Sequence, residues 1–365
     1  MAEEKYIRWL SESGLKDMPL IGGRAARLGE LYRARFPVPA GFVVTVKAFN
    51  AFLEQKKQGD YIAATIRAAQ YGSVDDAAAA ITNALAALPL PSAVEASIRE
   101  AHDVLDIDEK SVSRKAVNPL QVLQRPSLPK FFAVRSSLRD DDSSLSGAAF
   151  LNVSGVDAVL AAVRECYISL FNRLTIHELL TRDSMPNMAV IVQQMVDAAS
   201  SGVAFPASRK NDASLRIRAV WGLGEVLNDT MLTPDRYLVG KEHDILTIKD
   251  IQRGMQTHAI IRTASGKQEK VPLSEKRMQE QVLTSPEMRE VASLATKVSS
   301  YLEMPCGLSF AFTEGKVSIV DVKPLPLFPL ENEAAETTSD EKPAKESTAA
   351  RSEDDIETIM LKELE

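Results

Sequence analysis

Two alternating runs late in the chain, CGLSFAF (306–312) and KVSIVDVKPL (316–325), are separated by only Thr313, Glu314 and Gly315. So short a link turns the two runs back on each other as an antiparallel hairpin. It also sets their register. With the turn centred near Gly315, Ser309 lies across from Asp321 and Gly307 across from Lys323. Side chains two apart on a strand share a face, so these four share one face of the hairpin. An acid and a base held there point to a ligand, a metal ion or an ion pair, with a plain surface pair as the bland alternative.

Upstream, helix and strand patterns follow one another without an internal repeat. Residues 22–34 read as a helix opened by two glycines, and GFVVTVKAF (41–49) as a strand running into a helix. Residues 74–105 are alanine-rich helical segments broken at LPLPS, and 108–127 are a polar, basic loop. KFFAVRSS is a strand, and 155–182 has helical apolar spacing. MAVIVQQMV, GVAFPAS and SLRIRAVWGLGE are strands, and 274–303 is helical. The fold class expected is α+β.

Charge and composition exclude several classes. The net charge of −7 is concentrated in residues 331–365, which hold 12 acids against 4 bases; the other 330 residues are close to neutral. No basic face is available, so a nucleic-acid partner is not expected. No apolar run reaches membrane-spanning length and the first residues, MAEEKYIRWL, lack a signal-peptide core, so a cytoplasmic protein without a membrane partner is expected. Cys166 and Cys306, far apart, read as buried small hydrophobes rather than a disulfide or zinc site. The tail is too poor in large apolar residues to order itself, and is expected to be disordered. Its end, DDIETIMLKELE, has helical apolar spacing, either as a frayed terminus or as a short docking helix.

Three further stretches carry possible chemistry. LIGGRAARLGEL places Gly22 and Gly23 at a helix entrance with Arg24 just inside, an arrangement suited to an anion or simply to a glycine cap. AVRSSLRDDDSSLSG delivers Arg135 at a strand end before a polar loop. WGLGEVLNDTMLTPDRYLV has Gly222 and Gly224 around a turn, followed by Glu225, a candidate acceptor for a hydroxyl. No dinucleotide or P-loop fingerprint is present.

In this order the stretches resemble the N-terminal nucleotide-binding domain of phosphoenolpyruvate synthase and pyruvate phosphate dikinase, an ATP-grasp-like fold also found in rifampicin phosphotransferases. The similarity runs from near residue 15 to near residue 326. It implies a two-lobed ATP-binding domain over 1–330, followed by the acidic tail 331–365. It also implies MgATP bound between the lobes and phosphoryl transfer to a histidine on a separate, swivelling domain. His102, His177, His243 and His258 match no phosphohistidine motif, so that histidine is expected on a partner chain, as in phenylphosphate synthase.

The resemblance carries over residue by residue. Gly22, Gly23, Arg24, Arg135, Glu225 and Lys323 would hold ATP, Arg135 and Lys323 would act in transfer, and Asp321 would hold Mg2+. Asp141 and Asp142 match the acidic pair of the loop. The departures fall on the site itself. Arg24 stands for a lysine, Thr230 for a glycine, Ser309 for an acidic magnesium ligand, Asp321 for a glutamine and Lys323 for an arginine. Two readings stay open: the ATP-binding subunit of a split phosphotransferase, in which the relocated acid is compensatory, or a degenerate scaffold or regulatory subunit.

Overall fold

The structure is a computed structural model and describes residues 6–106, 130–138, 145, 147–181, 185–206, 214–228, 232–242, 245–263 and 266–325. It is a mixed helix and sheet protein built on two large sheets. The first has five strands in the order β1 (Ile7–Trp9), β2 (Gly41–Val44), β5 (Met188–Gln194), β3 (Phe132–Leu138), β4 (Ala149–Val153). The second has six, in the order β13 (Lys316–Pro324), β12 (Cys306–Thr313), β6 (Ser200–Pro206), β7 (Leu215–Trp221), β8 (Asp235–Glu242), β9 (Ile245–Gln252). A small hairpin of β10 (His258–Arg262) and β11 (Gln268–Pro272) joins the second sheet through a bridge between Gly222 and Ile260. All named strand pairs are antiparallel.

Helices cover these sheets in chain order: α1 (Met18–Arg33), α2 (Val46–Glu54), α3 (Gln58–Ala69), α4 (Val74–Ala86), α5 (Ser92–Asp106), α6 (Val156–Ser169), α7 (Arg173–Leu179), α8 (Glu275–Gln279) and α9 (Ser285–Tyr301). The helices from α2 to α7 share a core with one face of the first sheet, centred on Phe42, Phe52, Tyr167 and Phe171. Each such ring adds on the order of 2–3 kcal/mol by leaving water. Helix α1 packs on the opposite face through Ile21, Leu28 and Leu31, in a core that continues into the second sheet and α9. A strand with apolar cover on both faces cannot alternate. That is why β5 reads MAVIV without a polar break until Gln193.

From Ser309 outward the hairpin register is the expected one, with Ser309 opposite Asp321 and Gly307 opposite Lys323. Nearer the turn it differs by one residue, Phe310 with Ile319 and Thr313 with Lys316, because the link is only Glu314 and Gly315 and an irregularity between Ser309 and Phe310 takes up the difference. The LPLPS break separates α4 from α5. Two expectations are corrected. The helical stretch 155–182 is two helices, because Asn172 accepts from the Thr175 N–H at 3.0 Å and starts α7 anew. The stretch 274–303 is also two, because Thr284 and Glu287 form a reciprocal cap that opens α9. The 108–127 loop, Asp141 and Asp142, Thr230, His243 and the tail 331–365 lie outside the described residues. Among the described residues no helix is long and apolar enough to cross a membrane.

Candidate functional site

The helix entrance comes first. Gly22 has φ +75°, and a Cβ there would sit 2.2 Å from the Ser137 carbonyl oxygen. Only glycine accepts that backbone and that closeness. The regular part of α1 therefore starts after Gly22, pressed against the end of β3. The Ala25 N–H donates to Ser137 Oγ at 3.0 Å, so a serine from β3 satisfies part of the helix start. Gly23 is buried in the same turn.

That approach aims Arg24 across the gap between the sheets. Its Nη1 donates to the Ser136 carbonyl at 2.5 Å, and its Nε lies 3.3 and 3.1 Å from the two oxygens of Asp321. Arg135, on β3, donates from Nη2 to Gln193 Oε1 and to the Val320 carbonyl, both at 2.8 Å. Gln193 in turn donates to the Pro39 carbonyl at 3.1 Å. Arg27, one turn further along α1, donates from Nε to the Val322 carbonyl at 2.9 Å. Three arginines thus tie α1 and β3 to the last strand, and Arg135 Nε is buried with no acceptor among the described residues.

Asp321 is the pivot, only 3% exposed. Burial alone would raise its pKa, but Arg24, Arg135, Lys323 and Arg27 hold it well below the usual carboxylate range. Burial pushes the Arg135 guanidinium down to about 10, against the pull of Asp321, so it stays charged at neutral pH. A depressed carboxylate contributes fully above its unfolded value, about 3.9, and the contribution is lost as pH falls through the folded value. Acid titration of the wild type should therefore show a loss of stability below about pH 4 that is reduced in Asp321→Asn. Equal acid slopes in denaturation of the two proteins would remove Asp321 from that role.

Around this knot lies a cavity of about 330 Å3 between the two sheets. Arg24, Arg135, Ser309 and Asp321 line one part, while Leu151, Met195, Val196, Leu223 and Leu227 supply an apolar lining. The size and the mixture of apolar walls with a few convergent polar groups suit a small molecule. Gly224 and Glu225 also line it, in a short 3-10 turn (Gly224–Asn228). Glu225 is half-buried, which raises its pKa, and Gln268 of β11 donates to it at 2.5 Å and offsets only part of that rise. Gly222 has φ +79° and sits where a Cβ would meet the Ile260 carbonyl at 2.3 Å, which lets the small hairpin close over this turn.

The structure thus brings Arg24, Arg135, Ser309, Asp321 and Glu225 to one cavity, with Lys323 buried beside Asp321. It adds groups that the sequence reading passed over: Ser137, Gln193 and Gln268. A signal existed for Gln193, the first polar residue after five apolar ones in β5, whereas Ser137 follows Arg135 and Ser136 and does not stand out. Gln268 had none, because its partner is 43 residues away on another element.

The donor set of the described residues does not fit a resident Mg2+. Among the described residues no group of three His, Cys, Asp or Glu side chains could hold a metal. Both Asp321 oxygens face Arg24 Nε, Oδ1 also accepts the Val322 N–H at 2.9 Å, and Ser309 rather than a second acid lies across from it. Mg2+ needs several oxygen ligands in near-octahedral array, and four cations crowd this one. The guanidinium groups of Arg24 and Arg135, which both line the cavity, are chemistry suited to an anion.

Residues 18–345 match the family model described as pyruvate phosphate dikinase, AMP/ATP-binding domain. The probable phosphoenolpyruvate synthase of Archaeoglobus fulgidus is 30% identical over 349 residues, covering 93% of this chain and 44% of that protein. The probable phosphoenolpyruvate synthase of Methanocaldococcus jannaschii is 29% identical, covering 88% of this chain and 27% of that protein. The phosphoenolpyruvate synthase of Pyrococcus furiosus is 27% identical, covering 88% and 44%. The chain spans less than half the length of each of these three relatives.

Proposed function

Since the chain belongs to the family of the pyruvate phosphate dikinase AMP/ATP-binding domain, we propose that its cavity binds ATP as the nucleotide-binding part of a phosphotransferase. The observation that carries this reading is the convergence of Arg24 and Arg135 on one part of a cavity whose remaining walls are largely apolar. The apolar lining takes the base, and Glu225 accepts from a ribose hydroxyl. Arg24, Arg135 and Lys323 hold the phosphates, with Gly22 and Gly23 allowing the helix to come close. The two sheets facing one cavity support an ATP-grasp-like arrangement.

In this reading Arg135 and Lys323 also stabilise the charge that shifts between phosphates during transfer, a task done by positioning and electrostatics rather than by covalent chemistry. The acceptor is a histidine on a domain outside this chain's described residues, carried by a partner. Mg2+ would enter with the nucleotide's own phosphates and water. A second reading, nucleotide binding without turnover, is supported by one observation: Asp321 already engages Arg24 through both oxygens.

The test is thermal and chemical unfolding with ATP, ADP or AMP, with and without Mg2+. A ligand at about 100 times its dissociation constant should add about 2.7 kcal/mol of stability. Arg135→Gln should abolish most of that gain, since it removes a charged donor of the phosphate site. No gain with any nucleotide at millimolar concentration would overturn the reading. ATP consumption in the presence of a phosphohistidine domain then separates transfer from binding alone.

A further inference from the structure

At the cationic part of the cavity a carboxylate already stands where a polyphosphate would bring its charge. Asp321 lines the cavity, yet its side chain is almost wholly buried and both its oxygens face Arg24 Nε. The charges that act on it come from three elements: Arg24 and Arg27 on α1, Arg135 on β3 and Lys323 on its own strand. Directly across on β12 is Ser309, which is neutral. The arrangement is therefore several cations around one fixed anion, with that anion hydrogen-bonded to Arg24.

The geometry points to Asp321 as a built-in counter-ion that sets how much phosphate charge the site accepts, a specificity-determining residue rather than a metal ligand. This deepens, and rests on, the reading of the cavity as a nucleotide site. A ligand phosphate near Arg24 must share it with Asp321 or displace it, and meets the carboxylate's repulsion either way. The repulsion grows with each added phosphate charge. Wild-type protein should then discriminate weakly among nucleotides of different charge in the absence of divalent cation. A neutral residue of similar shape at 321 leaves the arginines unopposed and rewards each additional phosphate.

The experiment is a charge series: the affinities of AMP, ADP and ATP for wild type, Asp321→Asn and Asp321→Gln, measured calorimetrically without Mg2+ and repeated with it. In wild type without Mg2+, ATP is expected to bind within a few-fold of AMP. In Asp321→Asn, ATP should tighten by about tenfold or more while AMP changes little. With Mg2+, the variant should bind ATP at least as well as wild type. A wild-type series that already steepens a hundredfold from AMP to ATP would overturn the inference, even if neither variant folds. So would a variant that binds MgATP more weakly than wild type, because that is the behaviour of a metal ligand. Measurable binding with an unchanged series in the variants refutes the counter-ion alone. No binding of any nucleotide to any of the three proteins refutes the nucleotide site itself.

Discussion

Replacing Asp235 with alanine is expected to lower the unfolding free energy by about 3–5 kcal/mol, although the residue lies away from the cavity. Asp235 is 2% exposed and accepts four hydrogen bonds. Tyr237 OH and the Val282 N–H reach Oδ2 at 2.8 Å each, and the Gly254 N–H and Gln256 Nε2 reach Oδ1 at 2.8 and 3.3 Å. The Tyr237 hydroxyl accepts the Leu283 N–H at 3.1 Å in turn. One carboxylate therefore fastens the start of β8 to the loop before β10 and to the segment between α8 and α9. Alanine would strand these donors in the interior, where each lost partner is costly. Asparagine keeps the shape but turns an NH2 group toward donors, so it should recover only part of the loss. Urea denaturation reads the effect directly, and a loss under about 1 kcal/mol would show that water or a shifted backbone can replace the carboxylate.

The second large effect is expected at Gly22. Gly22→Ala should cost about 2–4 kcal/mol of stability and weaken nucleotide binding by at least about tenfold. The backbone there has φ +75°, and the new Cβ would start 2.2 Å from the Ser137 carbonyl oxygen and 2.5 Å from its Oγ. No rotamer relieves a clash between a Cβ and a backbone atom. The start of α1 must retreat from β3, which breaks the Ala25–Ser137 bond and moves Arg24 away from Ser136 and Asp321. Gly155→Ala separates the two causes. Gly155 has a similar φ of +82° but nothing within 4 Å of the added Cβ, so it should show only the backbone strain, about 1–3 kcal/mol, and cost less than Gly22→Ala. If the two substitutions cost the same, or if Gly22→Ala leaves nucleotide affinity intact, the close approach of α1 to β3 does not position Arg24.

These two residues show unequal legibility. Gly22 is visible in the sequence as a glycine pair at a helix entrance, but that pattern also fits a helix start that offers its N–H groups to an anion. The structure gives at least one of them to Ser137 instead. Asp235 sits in a Pro-Asp turn pair that reads as a local turn, and its four donors come from positions 19 to 47 residues further on or from its own strand. The breaks at Asn172 and Thr284 had local capping signals. An apolar spacing that continued across both masked them.

The sequence by itself determined the hairpin of β12 and β13, because so short a link folds two alternating strands back on each other. The structure closes it with Glu314 and Gly315 alone, and the irregularity between Ser309 and Phe310 is what brings Ser309 opposite Asp321. The sequence also determined the break between α4 and α5, because two prolines cannot sit inside a helix, and it placed Asp321 and Lys323 on one face, because strand side chains alternate. Only the tertiary structure decided what that face meets. Arg24 and Asp321 are 297 residues apart, and Arg135 and the Val320 carbonyl are 185 apart. No local spacing encodes such pairs. They form because α1 is buried between the first sheet and the last strand, and the same packing made Asp321 an ion-pair partner rather than an open carboxylate.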